Sequence, residues 1–310
     1  MTTDHLFRFG VLSGPLSDVG TWRQRARRAE DLGYSALLVP DHMGREWGPL
    51  VSLAIAAGCT SRLRLGTLML AVDLRLPTVV FKELATLDLM APGRLEIGLG
   101  AGWFGQDFER AGVPMAPHAT RIERLDEAAG LLRQLWDTGT APQQGSHYPV
   151  TGAMGAPRPR PARWAMGGGG RRMLRTAVRH ADIVSLNARL DSGAKGSQFG
   201  QSATVAAFDR RAAWVKEFAA DRGTDPEVQC LAHAAAVVPD AKRYGDRVLA
   251  RMFGLPADDA LASPLSLVGT AEEIVSLLLN RRERFGISYY VIPAAQVDDF
   301  APVVERLSGT

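Results

Sequence analysis

The sequence predicts an α/β fold of the (β/α)8 TIM-barrel type, and three observations support that prediction. Short apolar runs alternate with amphipathic helical patterns along the chain, which implies parallel strand pairing. There are eight such runs, and several are continuously apolar over most of their length, as expected of strands covered on both faces. The length of 310 residues suits one closed barrel of eight units. An open, doubly wound parallel sheet is the alternative fold.

The predicted strands are short and are followed by turns or by helical patterns. In chain order they cover residues 7–13, 35–39, 62–70, 94–100, 163–166, 182–186, 227–238 and 288–292. A polar loop insertion, 187–203, follows the sixth strand and is interpreted either as a substrate lid or as an ordinary mobile loop. No Pro-rich or low-complexity linker divides the chain, so we expect a single barrel domain over residues 1–310.

The helices between the strands are predicted from apolar residues spaced three and four apart. The first covers 17–32, with Ser17 or Asp18 as its N-terminal cap and Gly33 as the left-handed residue after its end. Another begins at Pro77, a residue that suits the first turn of a helix. The remaining patterns cover 119–136, 170–180, 204–221, 241–252, 271–285 and 297–307.

Composition excludes several classes of protein. The formal charge of +3 is too small to indicate a nucleic-acid partner. No apolar stretch approaches the roughly 18 residues of a membrane helix, and the N-terminus does not resemble a signal peptide, so we expect no membrane partner and a cytoplasmic protein. Cys59 and Cys230 belong to no CxxC motif, and Cys230 is expected to be a buried, inert thiol. Without HExxH or a His cluster, we predict no catalytic metal.

In a (β/α)8 barrel, catalytic groups lie at the C-terminal ends of the strands. Asp41 and His42 follow the second strand; an acid beside an imidazole is typical of proton transfer but equally of a capped surface loop. The fourth strand ends in GLGAGW (98–103), whose glycines let the backbone approach a flat ligand.

The fifth strand runs into Gly167–Gly170 and then Arg171, Arg172 and a helix. That order is typical of an anion site at a helix N-terminus, and a tight turn with solvated arginines is the alternative. His233 lies inside the seventh run, where a hydrogen-bonded core histidine is the commoner interpretation.

Together these segments resemble the luciferase-like monooxygenase superfamily of flavin- and deazaflavin-dependent barrels. The resemblance spans nearly the whole chain and rests on GYSALLVPDH (33–42), TSRLRLGTLML (60–70), LATLDLMAPGRLEIGLGAGW (84–103), RIERLDEAAGLLRQLWD (121–137), AMGGGGRRMLRTAVRHADIV (165–184) and LVGTAEEIVSLL (267–278). The stretches GGGGRRMLR, ASPLSLVGT and RRERFGISYY look most like an actinobacterial branch of F420-dependent oxidoreductases.

The resemblance implies a tricyclic ring lying across the barrel mouth. The ring would rest on a bulge with a non-prolyl cis bond at Leu68–Met69, next to Ala71. Gln106 would contact its pyrimidine edge, and Trp103, Phe104 and Met69 would form an apolar wall. The residues implied to hold the ribityl chain and phosphate are Ala165, Met166, Gly167, Gly168, Gly169, Gly170 and Arg171.

One residue departs from the family pattern. Deazaflavin sugar-phosphate dehydrogenases of this superfamily carry a proton-donating Glu where this chain has Trp103, and indole cannot donate a proton at neutral pH. His42, beside Asp41, is therefore the first candidate for the proton partner and His233 the second. The lysines that hold a substrate phosphate in those enzymes are not evident, and Lys195 is only a weak candidate.

The resemblance therefore predicts an F420-dependent oxidoreductase that transfers a hydride between the deazaflavin C5 and a C=C, C=N or C=O bond of a small organic substrate. An FMN-dependent luciferase-like monooxygenase using O2 is the first alternative, and a non-catalytic flavin-binding barrel is the second. A homodimer is expected from the habit of the family.

Overall fold

The computed structural model describes residues 5–14, 17–141, 145–150, 152, 157–190 and 197–310. Nine strands form its main sheet: β1 Arg8–Leu12, β2 Ala36–Val39, β3 Arg64–Thr67, β4 Leu70–Ala71, β5 Leu95–Gly100, β6 Arg163–Gly168, β7 Ile183–Leu186, β8 Glu227–Leu231 and β11 Ile287–Pro293. β3 and β4 together occupy one barrel position, because the peptide bond between Leu68 and Met69 is cis and separates them. Such a bond at this place agrees with the resemblance.

The main sheet is parallel and closes on itself. β1 lies between β2 and β11, and the order continues through β8, β7 and β6 to β5. β5 pairs in turn with β3 and β4, which completes the circle. The prediction of an eight-unit (β/α)8 barrel is confirmed, and the open sheet is excluded.

The predicted seventh strand, 227–238, is wrong as one element. It divides into β8 and a second strand, β9 (Ala234–Val237), because the backbone changes partner between them. The Ala232 amide donates to Val291 in β11, whereas the next amide, of His233, donates to Leu265. β9 then pairs with β10 (Ser266–Gly269), a strand that the sequence analysis missed, and lies outside the barrel.

Helices occupy all eight regions in which amphipathic patterns predicted them. They are α1 Val19–Asp31, α3 Pro77–Met90, α5 His118–Thr138, α6 Arg171–His180, α8 Val205–Arg222, α12 Ala271–Phe285, α13 Val297–Leu307 and, around a π-helical turn at Gly245–Leu249, α9 Ala241–Tyr244 with α10 Ala250–Phe253. The predicted start of α1 is confirmed, since the Asp18 carboxylate accepts from the Thr21 amide at 2.9 Å. Gly33 is left-handed, with φ 81°.

Four helices were not predicted: α2 Pro49–Ala57, α4 Gly105–Ala111, α7 Ser197–Ser202 and α11 Ala257–Ala262. The sequence of α2, PLVSLAIAA, is apolar on almost every side, so it shows no amphipathic stripe. α7 replaces part of the loop insertion predicted over 187–203. Residues 191–196 of that insertion, including Lys195, lie outside the described residues, and a lid there stays a prediction.

Buried apolar side chains form one large cluster and one small cluster, and the large one includes one of the two cysteines. Cys230 is completely buried, as predicted, and this burial raises the pKa of its thiol to about 12. Within the part of the chain that the structure describes, no helix is both long and apolar enough to cross a membrane.

Candidate active site

A cavity of about 350 Å³ opens at the C-terminal ends of the barrel strands. Its size is that of a small-molecule site. Residues that follow six of the barrel positions contribute to its wall, including Asp41, His42, Leu68, Met69, Ala71, Trp103, Asp107, Phe108, His118, Arg121, Gly168, Gly169, Gly170, Ser185, Asn187, Arg189 and His233. Residues such as His42 and Trp103, which were predicted as site residues because they follow strands, therefore do border one common cavity.

His42 is held in the cavity wall by a carboxylate. Its Nδ1 lies 2.6 Å from Oδ2 of Asp107, which is buried in the first turn of α4. The other oxygen of Asp107 accepts the Met43 amide at 2.9 Å, so this carboxylate also fixes the chain beside the histidine. Because Asp107 engages Nδ1, Nε2 is the ring nitrogen of His42 that could act on a molecule in the cavity.

Two aromatic rings flank His42. Its ring meets Trp103 edge-on at 5.9 Å between centroids and Phe104 at 6.1 Å. The two aromatic rings contact each other at 5.3 Å. The imidazole is therefore restrained on two sides by packing and on a third by Asp107, an arrangement that favours one ring orientation.

Asp41 borders the cavity but is engaged with protein groups. Both of its oxygens accept from Arg75, and Oδ2 also accepts from the Ala71 amide at 3.0 Å. These bonds tie the segment after β2 to the bulge at Ala71, and the catalytic role of Asp41 stays a prediction.

Three of the four consecutive glycines, Gly168 to Gly170, border the cavity. A Cβ added at Gly169 would lie 2.7 Å from the Arg189 nitrogen, so the close approach of that backbone accounts for this glycine. Gly170, in contrast, has no atom within 4 Å of an added Cβ and precedes α6 without any side-chain cap. The amides at the start of α6 are thus open to an anion.

Some predicted cofactor residues lie away from this cavity. Ala165 and Met166 are buried inside β6, and an added Cβ at Gly167 would lie 2.0 Å from the Ser185 carbonyl. Gln106 is exposed on α4, where it accepts from Arg110 at 3.4 Å. None of these four residues lines the cavity, and cofactor contacts by the backbone of Ala165, Met166 and Gly167 or by Gln106 stay predictions.

The two arginines that follow the glycines form ion pairs with glutamates on other helices. Arg171 pairs with Glu217 at 2.6 Å, and Arg172 pairs with Glu123 at 2.8 Å. Both pairs join half-exposed side chains on neighbouring helices. Arg171 does not line the cavity and is paired with Glu217 of α8, and its anion-binding role stays a prediction.

Six polar residues of the cavity were missed by the sequence analysis: Asp107, His118, Arg121, Ser185, Asn187 and Arg189. Ser185 lies within the strand 182–186 and Asn187 directly follows it, so the strand-end rule could have found the latter. Asn187 lies 3.4 Å from Nε2 of His233, the second candidate for the proton partner. Asp107 and Arg121 belong to helices, where no local signal marks them.

Comparison with known protein families matches residues 5–240 to the luciferase-like monooxygenase family. The chain belongs to this family. The membership inferred from the sequence is thereby confirmed, and the barrel, its cavity and the segment Leu68–Ala71 can be described as those of a luciferase-like protein.

One curated relative of this luciferase-like protein is the F420-dependent glucose-6-phosphate dehydrogenase of Kribbella flavida, with 31% identity over 166 residues. The match covers 51% of this chain and spans about half the length of the relative, 50%.

Solved structures share the luciferase-like fold at lower identity. The coenzyme F420-dependent tetrahydromethanopterin reductase from Methanopyrus kandleri has a TM-score of 0.78, 17% identity and coverage of 98% and 99% of the two chains. The monooxygenase RslO1 from Streptomyces bottropensis has a TM-score of 0.74, 21% identity and 97% coverage of both chains. At these identities the likeness shows the fold alone.

Asp107→Asn should lower kcat of the luciferase-like protein on the order of tenfold or more, with cofactor affinity little changed. The amide keeps the shape of the side chain, but it can donate to Nδ1 and so favour the wrong tautomer of His42. Steady-state kinetics and a fluorescence titration of the cofactor separate the two effects. Glu109→Gln, on the exposed side of the same helix, is the matched control. Equal kcat in the two variants would contradict this role of Asp107.

Proposed function

We propose that this protein is an oxidoreductase that uses coenzyme F420 to transfer a hydride to or from a C=C, C=N or C=O bond of a small organic molecule. The observation that carries the proposal is the cavity itself. Its wall contains Gly170 at the uncapped N-terminus of α6, the imidazole of His42 held by the carboxylate of Asp107, and aromatic side chains. An anionic, ring-shaped coenzyme requires these features in a single space.

The residues present fit such a coenzyme. The amides at the start of α6 suit its phosphate, and the apolar surfaces of Leu68, Met69 and Trp103 suit its planar ring. Arg121 in the cavity wall has a buried Nε that no described residue satisfies, which suits a further anionic contact.

When bound, the reduced deazaflavin supplies a hydride from its C5. His42 would then give a proton to the substrate from Nε2, or take one in the reverse direction. Asp107 holds the ring in the required orientation and tautomer. Trp103 and Phe104 pack against the ring of His42, and the indole of Trp103 has no acidic group that could replace His42 as the proton partner.

The second candidate function is an FMN-dependent monooxygenase that uses O2. The family name and the structural likeness to RslO1 favour it. The F420-dependent name of the curated relative favours the deazaflavin instead. A flavin-binding barrel without turnover is the third candidate, and the carboxylate-held His42 argues against it. A homodimer and a cytoplasmic location belong to the proposal as well.

The decisive experiment is incubation of the purified protein with each cofactor in both oxidation states. We expect saturable binding of F420 and substrate-dependent oxidation of F420H2 under anaerobic conditions, followed by its absorbance near the deazaflavin band. FMN that co-purifies tightly and consumes oxygen once reduced would replace the proposal by the monooxygenase. Binding without turnover across carbonyl, imine and enone panels would favour the third candidate.

A further inference from the structure

Two polar residues, one in β7 and one directly after it, border the cavity from the same side. They are Ser185 and Asn187, which are two positions apart and therefore lie on the same face of an extended chain. Only 3% of the surface of Ser185 is exposed. Among the described residues, none accepts a hydrogen bond from the Ser185 hydroxyl or from Nδ2 of Asn187. These two residues thus form a donor pair that a bound molecule can use.

The protein fixes the side chain of Asn187. Its Oδ1 accepts from the Ala188 amide at 2.8 Å and lies 3.4 Å from Nε2 of His233. A backbone amide can only donate, so the side-chain atom that faces it is the oxygen, and Nδ2 is left for the cavity. The backbone is held as well, since the Asn187 amide donates to the Gly168 carbonyl at 3.3 Å. The donor is therefore oriented before any ligand binds.

The donor pair lies across the barrel from His42. The barrel closes through eight positions in the order β1, β2, β3 with β4, β5, β6, β7, β8 and β11. His42 follows the second position, whereas Ser185 and Asn187 belong to the sixth, which is opposite it in a ring of eight. His42 and the donor pair therefore approach a bound molecule from opposite sides.

This opposition favours one class among the candidate substrates. In a simple ketone or imine, the atom that gains the proton is also the atom on which negative charge develops, so one polar group serves both purposes. In an α,β-unsaturated carbonyl compound these are two different atoms, because charge develops on the carbonyl oxygen and the proton goes to the α-carbon. Such a substrate requires hydrogen-bond donors at its oxygen and an acid at a separate place.

We propose that Ser185 and Asn187 bind the carbonyl oxygen of an α,β-unsaturated carbonyl substrate whose C=C bond is reduced. This inference rests on the proposed function, which supplies the hydride. The hydride adds to the β-carbon, the electrons of the C=C bond move onto the carbonyl oxygen, and the donor pair stabilises the enolate. The α-carbon then takes a proton from Nε2 of His42 as the C=O bond re-forms, and His42 regains its proton from water.

The first test measures binding without turnover and uses para-nitrophenol as the probe, because its phenolate resembles the enolate in charge and shape. The wild-type protein should bind the phenolate in preference to the phenol, so the yellow absorbance of the bound probe should appear at lower pH than that of the free probe. Asn187→Asp keeps the shape of the side chain but replaces the donor with an acceptor, and it should raise the phenolate Kd about 10- to 100-fold. Asn280→Asp, exposed on α12, is the matched control and should bind as the wild type does.

The second test compares the reduction of cyclohexenone and cyclohexanone by F420H2. The wild type should reduce the C=C bond of the enone much faster than the C=O bond of the saturated ketone. Ser185→Ala and Asn187→Asp should each lower kcat for the enone about 10²-fold, because each removes one donor to the developing oxyanion, with the F420 Kd little changed. Ser276→Ala, whose exposed hydroxyl donates to the Glu272 carbonyl at 3.0 Å, is the control for the serine.

The proposal is overturned if Asn187→Asp matches Asn280→Asp in both phenolate affinity and kcat, or if the wild type reduces the saturated ketone as fast as the enone. A variant that loses affinity for F420 alone would assign Asn187 to the coenzyme and would also overturn it. Should Asn187→Asp not fold, Ser185→Ala decides the question in the same assays. Failure of every deazaflavin and flavin to bind would refute the proposed function, whereas the phenolate titration would judge the donor pair independently.

Discussion

Replacing His42 with Asn should lower kcat by about 10²- to 10⁴-fold, the contribution that a positioned acid–base group makes. Asn can still accept a hydrogen bond near the cavity, but it cannot hold a transferable proton at neutral pH. The described hydrogen bond of the His42 side chain is made by Nδ1, to Asp107. Replacing this side chain should therefore leave the affinity for F420 within a small factor of the wild-type value. Stopped-flow measurement of hydride transfer and a fluorescence titration check the two parts separately.

Two further histidines serve as controls for that result. His233→Asn tests the second candidate in the same cavity and should cost less, because His233 lies at the join of β8 and β9 and contacts the Phe199 ring at 5.2 Å. His147→Asn, exposed and remote from the cavity, should change nothing. A His42→Asn enzyme with wild-type turnover, or a larger loss in His233→Asn, would show that the proton partner is misassigned.

The barrel could be predicted because its signals are local. Continuous apolar runs and three–four spacing depend on neighbouring residues alone, so all eight amphipathic helices were found. The division of residues 227–238 into two strands could not be predicted. Nothing in VQCLAHAAAVV shows that the amide of His233 donates to the carbonyl of Leu265. That change depends on a segment more than thirty residues further along the chain.

The site residues that could be predicted from the sequence are those that directly follow strands. His42, Trp103 and the glycines Gly168–Gly170 come directly after apolar runs, and they do border one cavity. Asp107 and Arg121 come from helices, so their approach to the cavity is decided by packing. Proximity in sequence does not decide which residues border the cavity: Arg171 follows the glycines, but it pairs with Glu217 on α8 and does not line the cavity.

The opposite end of the barrel is expected to govern stability instead of function. Charged residues at the starts of the strands form one network there. Arg8 donates to both oxygens of Glu227 at 2.8 Å and to Glu96 at 3.2 Å. Arg163 also pairs with Glu227, at 2.9 Å, and the buried Tyr289 hydroxyl donates to Glu96 at 2.7 Å.

Glu227→Leu should lower the free energy of unfolding by about 3–5 kcal/mol, because it leaves Arg8 and Arg163 near each other with Glu96 as the remaining carboxylate. Because Arg163 is one-third exposed and keeps some hydration, we expect the loss of unfolding free energy to fall in the lower part of that range. Urea denaturation followed by circular dichroism and tryptophan fluorescence measures the loss. Glu272→Gln, which removes an exposed partner of Arg306, is the control and should leave the urea midpoint unchanged.

The same Glu227→Leu protein separates stability from function. Glu227 begins β8, whereas His42 and Gly170 lie beyond the opposite ends of their strands, so the cavity should keep its geometry wherever the barrel remains folded. Below its shifted melting range the variant should therefore bind F420 with wild-type affinity. A variant that stays fully stable would show that the arginines are satisfied without Glu227. A stable fold with weakened F420 binding would show that the two ends of the barrel are coupled.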